Sequence, residues 1–537
     1  MGVVLQIFQY TCQRFIALCA YVLSVPILFL SVLAVFLSLI STVIYEVVII
    51  NHDLKLFIIF LFSIPLLTLV ICVLRESEVS HRVEGGLHVP REAVQFFSLA
   101  LVLVFRLVSS FSQDYKTLQN IGSFTGGFDS KLIQILDISK SRGDIQEITF
   151  SLDGVRGVGY VDWFENLHIG DLCNVYGKIE EPENFEGFNY VRYLKNKNIY
   201  LRSSRIEIDS CSYKFSVKKP LDIFLWLKRK LRIFRETLSQ QVEMYLPEPQ
   251  ASLLIGILFG SERAFSDQFD QQLRISGTTH IIAASGYNIT ILILAANKML
   301  GFIKKKYRLI LSLLLIWLYC ILSGLGASIL RATMMGSITI LALLSGNVRN
   351  THLLIPSGVF FLILINPRIL FDVGFQLSIL ATLGLIYILP SIEKFLEIML
   401  SIKSVPRFLE ENLLGTISCT LSTLPISISI FGKVSLVSVF ANILVLPLTE
   451  STMLYGTLAL LGSFLAKKSS KILFSIPYVQ LKVFQRVVQY FGSIEWGYMD
   501  VTTGWLGWII AVLLFLFCIY FYPLDGESYY VKRLKDL

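Results

Sequence analysis

The sequence predicts an α-helical polytopic membrane protein with a small all-β domain inserted outside the cytoplasm. Three observations predict it. The 537 residues are 54% hydrophobic and only 16% charged, with a mean hydropathy of +0.66. A soluble chain of this length is never so apolar, so a bilayer must be the solvent. Apolar runs that can cross hydrocarbon at about 1.5 Å per residue recur along the chain. One polar stretch interrupts them, and its hydrophobicity alternates residue by residue.

Residues 1–112 read as N-terminal transmembrane helices, with apolar runs at Ile27 to Val47, Leu54 to Leu74 and Ala93 to Phe111. Arg14 precedes the first run, which continues to Ile50 without a small-residue cleavage site, so a retained helix is expected. Arg75, Arg82 and Arg91 put the loop before the third run in the cytoplasm. The third run then leads outward.

Residues 113–215 hold no span of membrane length and are the expected extracytoplasmic domain. Alternating runs at Lys131 to Ile138, Ile145 to Leu152, Val155 to Trp163, Leu172 to Ile179 and Ile199 to Ile208 are punctuated by Gly154, Gly157, Gly159, Gly170-Asp171 and Gly177. That spacing gives a barrel of about five strands; an OB-like barrel fits, and another small barrel or sandwich fits the spacing as well. Cys173 and Cys211 both fall here and form a candidate disulfide, because oxidation belongs to the outer compartment. The other six cysteines lie in or beside apolar runs as packing residues. Tyr160, Trp163, Phe164, Tyr176, Phe188, Tyr190 and Tyr193, with Arg192, Lys195 and Lys197, offer stacking faces and cations that could dock nucleic acid, or else serve as core.

Residues 216–248 interleave Lys218, Lys219, Lys228, Arg229, Lys230, Arg232 and Arg235 with Leu221, Phe224, Leu225, Trp226, Leu231 and Phe234. A helix of that pattern lies in the membrane interface, apolar face down and basic face toward water or phosphates. Its cations serve lipid headgroups or a collar at a pore mouth.

Residues 249–465 return to the membrane, with runs at Leu309 to Ser323, Ile329 to Leu344, Leu353 to Ile365 and Phe375 to Leu389. Basic junctions at Lys304-Lys305-Lys306, Arg349, Lys394 and Lys403 to Arg407 separate spans, and several are short or broken by Pro and Gly, as in helices buried in a bundle. Residues 466–537 contain Lys471 to Tyr490, either a surface amphipathic helix or a span, and a last run from Leu506 to Tyr522. An arginine within an apolar helix must face a cavity or a partner, so Arg331 is a candidate site residue, with Glu450 or Asp372 as alternative ion-pair partners. His280, Ser285, Gly286 and Asn288 form a polar, small-residue stretch whose backbone N–H groups could face anions if the helix is broken there. Gln376, Ser378, Asn442 and Glu450 are polar residues on otherwise apolar helices, fit for lining a path or for bonding helix to helix. No cofactor or metal site is expected: there is no CxxC, and the six histidines are dispersed.

Two stretches carry a family resemblance. Ile169-Gly-Asp-Leu-Cys-Asn-Val-Tyr-Gly-Lys-Ile-Glu-Glu-Pro with Gly187-Phe-Asn-Tyr-Val-Arg-Tyr-Leu194, and Gly256-Ile-Leu-Phe-Gly-Ser-Glu-Arg263 with Gly277-Thr-Thr-His-Ile-Ile-Ala-Ala-Ser-Gly286, resemble ComEC-type competence proteins. Ser323 to Met334, Asn366-Pro367, Gly374 to Ala381, Leu424-Pro425, Phe431 to Ser435 and Ala441 to Pro447 continue the likeness in order. The resemblance implies an OB fold for the outer domain and, for the whole, a multi-pass channel in the bacterial plasma membrane that moves single-stranded DNA inward during transformation. It also implies separate partners: a cytoplasmic ATPase, an external DNA receptor and a nuclease. Relatives often read Ser-Gly-Leu-His where this chain has Ser285-Gly286-Tyr287-Asn288, so any role of a second imidazole is lost. Many also append a metallo-β-lactamase-like domain, and no HxHxDH-type cluster occurs before Leu537, so nuclease activity is not expected of these residues. A membrane-anchored DNA-binding scaffold and a small-solute transporter are the competing readings; the first predicts a dry core, and the second internal repeats that the sequence does not display.

Overall fold

The computed structural model describes residues 124, 126–142, 145–162, 167–184, 190–213, 220–260, 265–282, 285–344, 354–366, 369, 372–400, 410–465, 470–501 and 505–521. The helices expected before residue 113 lie outside the described residues, as do Trp163, Phe164, Phe188, Lys218, Lys219, Arg349 and Lys403 to Arg407. The chain divides into two compact units, Met1–Asn120 with Asn347–Gln376, and Ile121–Gly346 with Leu377–Leu537.

The second unit begins with the β domain. Strands β1 (Gly126–Arg142), β2 (Ile145–Leu152), β3 (Val155–Asp162), β4 (Leu172–Ile179) and β5 (Leu201–Ser212) close into a barrel in the order β1-β2-β3-β5-β4. β1 is long enough to serve two neighbours: Gly126 to Gln134 pairs with β4, and Gln134 to Arg142 with β2. Register shifts after Phe128, Ile135 and Ile138 bend it around the barrel, as bulges do. Ile133, Ile135, Ile148, Phe150, Val158, Val175 and Leu201 point inward at every second position and are buried. Room for the Phe150 ring comes from Gly157, where a Cβ would stand 2.4 Å from Phe150 Cζ. Between β4 and β5, helix α1 (Tyr190–Asn196) covers the barrel through Leu194, which packs with Val158 and Ile199.

Helices follow. α2 (Pro220–Glu243) leads to α3 (Gln250–Phe259), α4 (Asp267–Ile275), α5 (Thr279–Ile282), α6 (Gly286–Met299), α7 (Lys305–Leu322) and α8 (Ala327–Leu344). Within the first unit lies α9 (Leu354–Ile365). α10 (Val373–Leu383), whose start is capped by Asp372 Oδ1 accepting the Phe375 N–H at 2.7 Å, runs through a wide turn at Gly384–Ile388 into α11 (Leu389–Leu400). α12 (Gly415–Phe431), α13 (Ser438–Leu465), α14 (Ser470–Gly492) and α15 (Trp505–Phe521) complete the order, and a short pairing of β6 (Lys433–Ser435) with β7 (Tyr498–Asp500) ties α12 to the chain before α15. Among the described residues, three helices are by length and composition long and apolar enough to cross a membrane: Val373–Met399, Asn412–Phe431 and Ser438–Leu465. The stretch that the sequence left as surface helix or span is α14, whose Phe474, Leu481, Phe484 and Val488 are buried, while Lys471, Lys482 and Arg486 are exposed together with Ile472, Ile476, Val479 and Val483.

At the centre of the second unit stands α3. Its ten residues reach only about 15 Å, half a bilayer core, yet every one is buried. Such a half-helix is tolerable only inside protein, where its open ends find partners. Gly260, at φ +64°, ends it in the left-handed conformation that glycine adopts freely. Two close approaches seat it. A Cβ on Gly456 of α13 would lie 2.6 Å from Leu254 Cδ1, and one on Gly256 would lie 2.4 Å from Ile282 Cγ2 of α5. At its start Gln250 Nε2 donates to Gln485 Oε1 of α14 at 2.6 Å.

Candidate functional site

The last carbonyls of any helix lack an internal partner, and in α3 they are far from water. Asn288 on α6 answers this for Ile257. Only 1% exposed, its Nδ2 donates to the Ile257 carbonyl at 3.2 Å and to Tyr319 Oη of α7 at 3.2 Å, while the Tyr319 hydroxyl reaches the same carbonyl at 3.5 Å. Ser285, at the start of α6, donates to Asn288 Oδ1 at 3.4 Å. Asn288, singled out in the sequence as a path residue, is thus occupied in closing the broken helix. Tyr319 was missed by the sequence reading, although a phenol inside an apolar run is a signal of a buried polar partner.

Other motif segments meet around the same helix. α6 and α8 touch at Gly286, where a Cβ would stand 3.6 Å from Ala332 Cβ, so Gly286 lies beside the turn of α8 that carries Arg331. Arg331 is buried, 3% exposed. Gly277, at φ +68°, comes so close to the start of α13 that a Cβ would fall 2.5 Å from Ser438 Cβ, and Ser435 Oγ donates to the Ile275 carbonyl at 2.6 Å. One turn along α13, Asn442 is buried, and its Oδ1 has no hydrogen-bond partner among the described residues. His280 is exposed and donates from Nδ1 to the Gly277 carbonyl at 3.0 Å. Thr279, Gly286, Thr290 and Ser328 are exposed as well, giving α5, α6 and the start of α8 small polar groups at the surface instead of leucines.

The remaining candidates stand apart. Gln376 belongs to the first unit and Ser378 to the second, two residues apart on α10, and both are half-buried. Glu450 is exposed at mid-length on α13.

In the β domain, Tyr190 and Tyr193 of α1 stack with centroids 6.2 Å apart, and Lys197 lies over the Tyr193 ring at 4.3 Å. Burial, and then the nearby Tyr160, pushes the Tyr190 phenol well above its ordinary range, while burial lowers Lys195. Arg192 shares the helix with them. Tyr193 is the exposed member of the stacked pair, so α1 presents one ring and its covering cation outward. Cys173 of β4 and Cys211 of β5 are register partners with Cα atoms 4.1 Å apart, joined by a disulfide. The α2 cations do not form an open basic face. Lys228 pairs with Asp137 at 2.7 Å, Arg229 with Asp171 at 2.6 Å, and Arg232 with Glu236 at 2.8 Å, while Lys230 is exposed. Sequence showed the cations but not the carboxylates folded onto them from the barrel. Among the described residues, no group of three or more His, Cys, Asp or Glu side chains is gathered to hold a metal ion.

Residues 257–525, half of the chain, match the family described as Competence protein. The chain belongs to that family. ComE operon protein 3 of Bacillus subtilis (strain 168) is 25% identical over 443 residues, which cover 79% of this chain and 53% of the relative. This competence-family chain therefore spans about half the length of the curated relative it matches. No solved structure matches it. The matched region starts at Ile257, the residue whose carbonyl Asn288 caps, so the closed end of α3 and the segments packed on it are competence-family structure.

Proposed function

We propose that this chain is a plasma-membrane channel that passes single-stranded DNA into the cytoplasm during natural transformation, with its β domain on the outer side. Membership of the competence family supports a role in DNA uptake. The observation that carries the channel reading is the convergence of dispersed motif segments on one buried half-helix. Gly256, Gly277, Gly286, Asn288 and Ala332, far apart in the sequence, meet in or beside the cap of α3 and the surface that bears His280. Broken helices at membrane depth occur where protein or a watery path satisfies the freed backbone.

A phosphate backbone cannot enter hydrocarbon, because an unscreened charge there is held back by many kcal/mol. A path must offer donors, cations or water. The exposed His280, Thr279, Gly286, Thr290 and Ser328 provide the wettable side, and Arg331 on the adjoining helix provides the cation. A single strand threads a narrower aperture than a duplex and leaves its bases free to stack, for which Tyr193 on the barrel is suited. In this reading the energy comes from a separate cytoplasmic ATPase, since these 537 residues hold no GxxxxGK[ST] loop, and an external receptor and a nuclease deliver the strand.

The test is uptake of labelled DNA by cells carrying Arg331→Ala at membrane abundance equal to wild type. Uptake is expected to fall by about tenfold or more, as for loss of a charge-assisted contact of roughly 1.5–3 kcal/mol, with surface-bound DNA retained. Unchanged uptake would remove Arg331 from the path and the channel reading with it.

A further inference from the structure

Helix α2 carries five cations between Lys228 and Arg235, and most are turned onto the protein. At 100° per residue, Leu225, Lys228, Arg229 and Arg232 share one face. Leu225 is buried, and the other three reach the barrel around it. Lys228 Nζ donates to Asp137 Oδ2 at 2.7 Å and to the Leu136 carbonyl at 3.3 Å, and Arg232 donates to the Ile138 carbonyl. Leu136 is the extra residue of a β1 bulge, and a second irregularity follows Ile138. Bulged backbone leaves the ladder, so its carbonyls are open to an outside donor. Arg229 meets Asp171, which is 4% exposed and already accepts the His168 N–H at 2.8 Å; its guanidinium also lies over the Tyr213 ring, 4.4 Å from the centroid. A carboxylate so buried requires a cation beside it. The opposite face of α2 keeps Lys230 with Ile223, Leu227 and Phe234, all exposed.

One turn beyond Arg232, the helix grips something else. Arg235 NH1 stands 3.4 Å from the Ser323 carbonyl, and a Cβ on Gly324 would fall 2.7 Å from that nitrogen. Gly324 has φ +84° and Leu325 φ +57°, so this is a tight left-handed turn, a backbone that glycine adopts freely. The turn joins α7 to α8, and Arg331 is the fifth residue of α8.

We propose that the basic segment of α2 is a clasp: Lys228, Arg229 and Arg232 hold the barrel, Arg235 holds the α7–α8 turn, and the orientation of the barrel is thereby passed to the helix that bears Arg331. The clasp rests on the DNA-passage reading for its consequence. Its cations are positioning residues; phosphates do not compete for groups already engaged with Asp137, Asp171 and the β1 carbonyls.

Charge exchange tests it. In the full chain, at equal abundance, Lys228→Asp and Asp137→Lys are each expected to lower DNA uptake about tenfold, and the double exchange to restore it to within about threefold, the behaviour of directly coupled residues. Lys228→Met replaces the reversal where that variant does not accumulate. A double variant as poor as Lys228→Asp, with surface-bound DNA lost in parallel, would make Lys228 a DNA contact and overturn the clasp; so would unimpaired single variants. Arg235→Lys should keep uptake that Arg235→Leu loses, and equal uptake in the two would overturn the grip on the turn. Geometry is read independently of transport by treating an Asp137→Cys, Lys228→Cys chain in its membrane with a bis-thiol cross-linker about as long as the lysine and aspartate side chains it replaces, since the two backbones stand a lysine's length apart, and seeking the linked peptides by mass spectrometry. Linked peptides support the clasp even where DNA passage fails, whereas their absence overturns it while leaving the channel reading intact.

Discussion

The β barrel and the helices after it both bury apolar side chains, but the helices also bury many polar ones and leave large leucines exposed. In the barrel Ile133, Ile135, Ile148, Phe150 and Val175 are inside. In the helical region Leu314, Leu318, Leu341 and Leu465 are exposed, whereas Gln250, Asn288, Arg331, Thr333 and Thr449 are buried. Burial of apolar surface drives a fold only where water is the alternative. Where lipid is the alternative, leucine gains little by turning inward, and close packing of small residues with interhelical hydrogen bonds takes over. Gly256, Gly277 and Gly456 supply the close packing, and Asn288 and Gln250 the bonds.

The largest effect should come from the water-solvated half. Cys173 and Cys211 close a separation of 38 residues, and Cys211→Ser should destabilise the barrel by about 4 kcal/mol through the freed unfolded chain. Earlier proteolysis within residues 126–212, with the helical region still resistant, would show it; simultaneous loss of both halves would erase the contrast between them. Next is a paired substitution. Leu314 lies at the middle of α7 and is 63% exposed, while Leu132 of β1 is 55% exposed. Leu314→Lys should cost about 3 kcal/mol in membrane insertion, and Leu132→Lys should remain within about 0.5 kcal/mol of wild type. Membrane-fraction abundance reads the first and barrel melting the second, and equal tolerance of both would mean that the two surfaces meet the same solvent. The smallest effect sharpens the account of the interior. Asn288→Leu leaves the Ile257 carbonyl without its amide donor and should lower the unfolding temperature in detergent by an amount equivalent to about 1–2 kcal/mol, with Tyr319→Phe adding less than its separate effect because both serve one carbonyl. Full additivity would show that they act separately.

The two regions also differed in how much their sequence disclosed. Ile145–Leu152 and Leu172–Ile179 are legible to the residue, because a period of two ends at turn residues on each side. β1 is not: Gly126-Gly127 looks like a turn, yet it pairs with the far end of β4, and bulges are invisible to alternation. Among the helices, α7 and α8 follow their apolar runs closely, whereas α3 had no separate signature, since a buried half-helix shares the composition of a full span. For the site, Asn288 and Arg331 stand out as polar groups in apolar surroundings. What Asn288 holds was beyond reading, because its partner is a backbone carbonyl 31 residues away, and a carbonyl carries no residue type. The α2 cations were equally plain, while Asp137 and Asp171, 91 and 58 residues distant from their partners, gave no sign of the pairing.

The brevity of α3 bears on biogenesis. A segment of ten residues can neither cross the bilayer unaided nor shelter its ends in lipid, and the surfaces that enclose it, around Gly456 and Gln485, are synthesised some 200 residues later. Until the ribosome has delivered them, the segment lacks the surfaces that bury it, so its burial has to follow synthesis of the downstream helices.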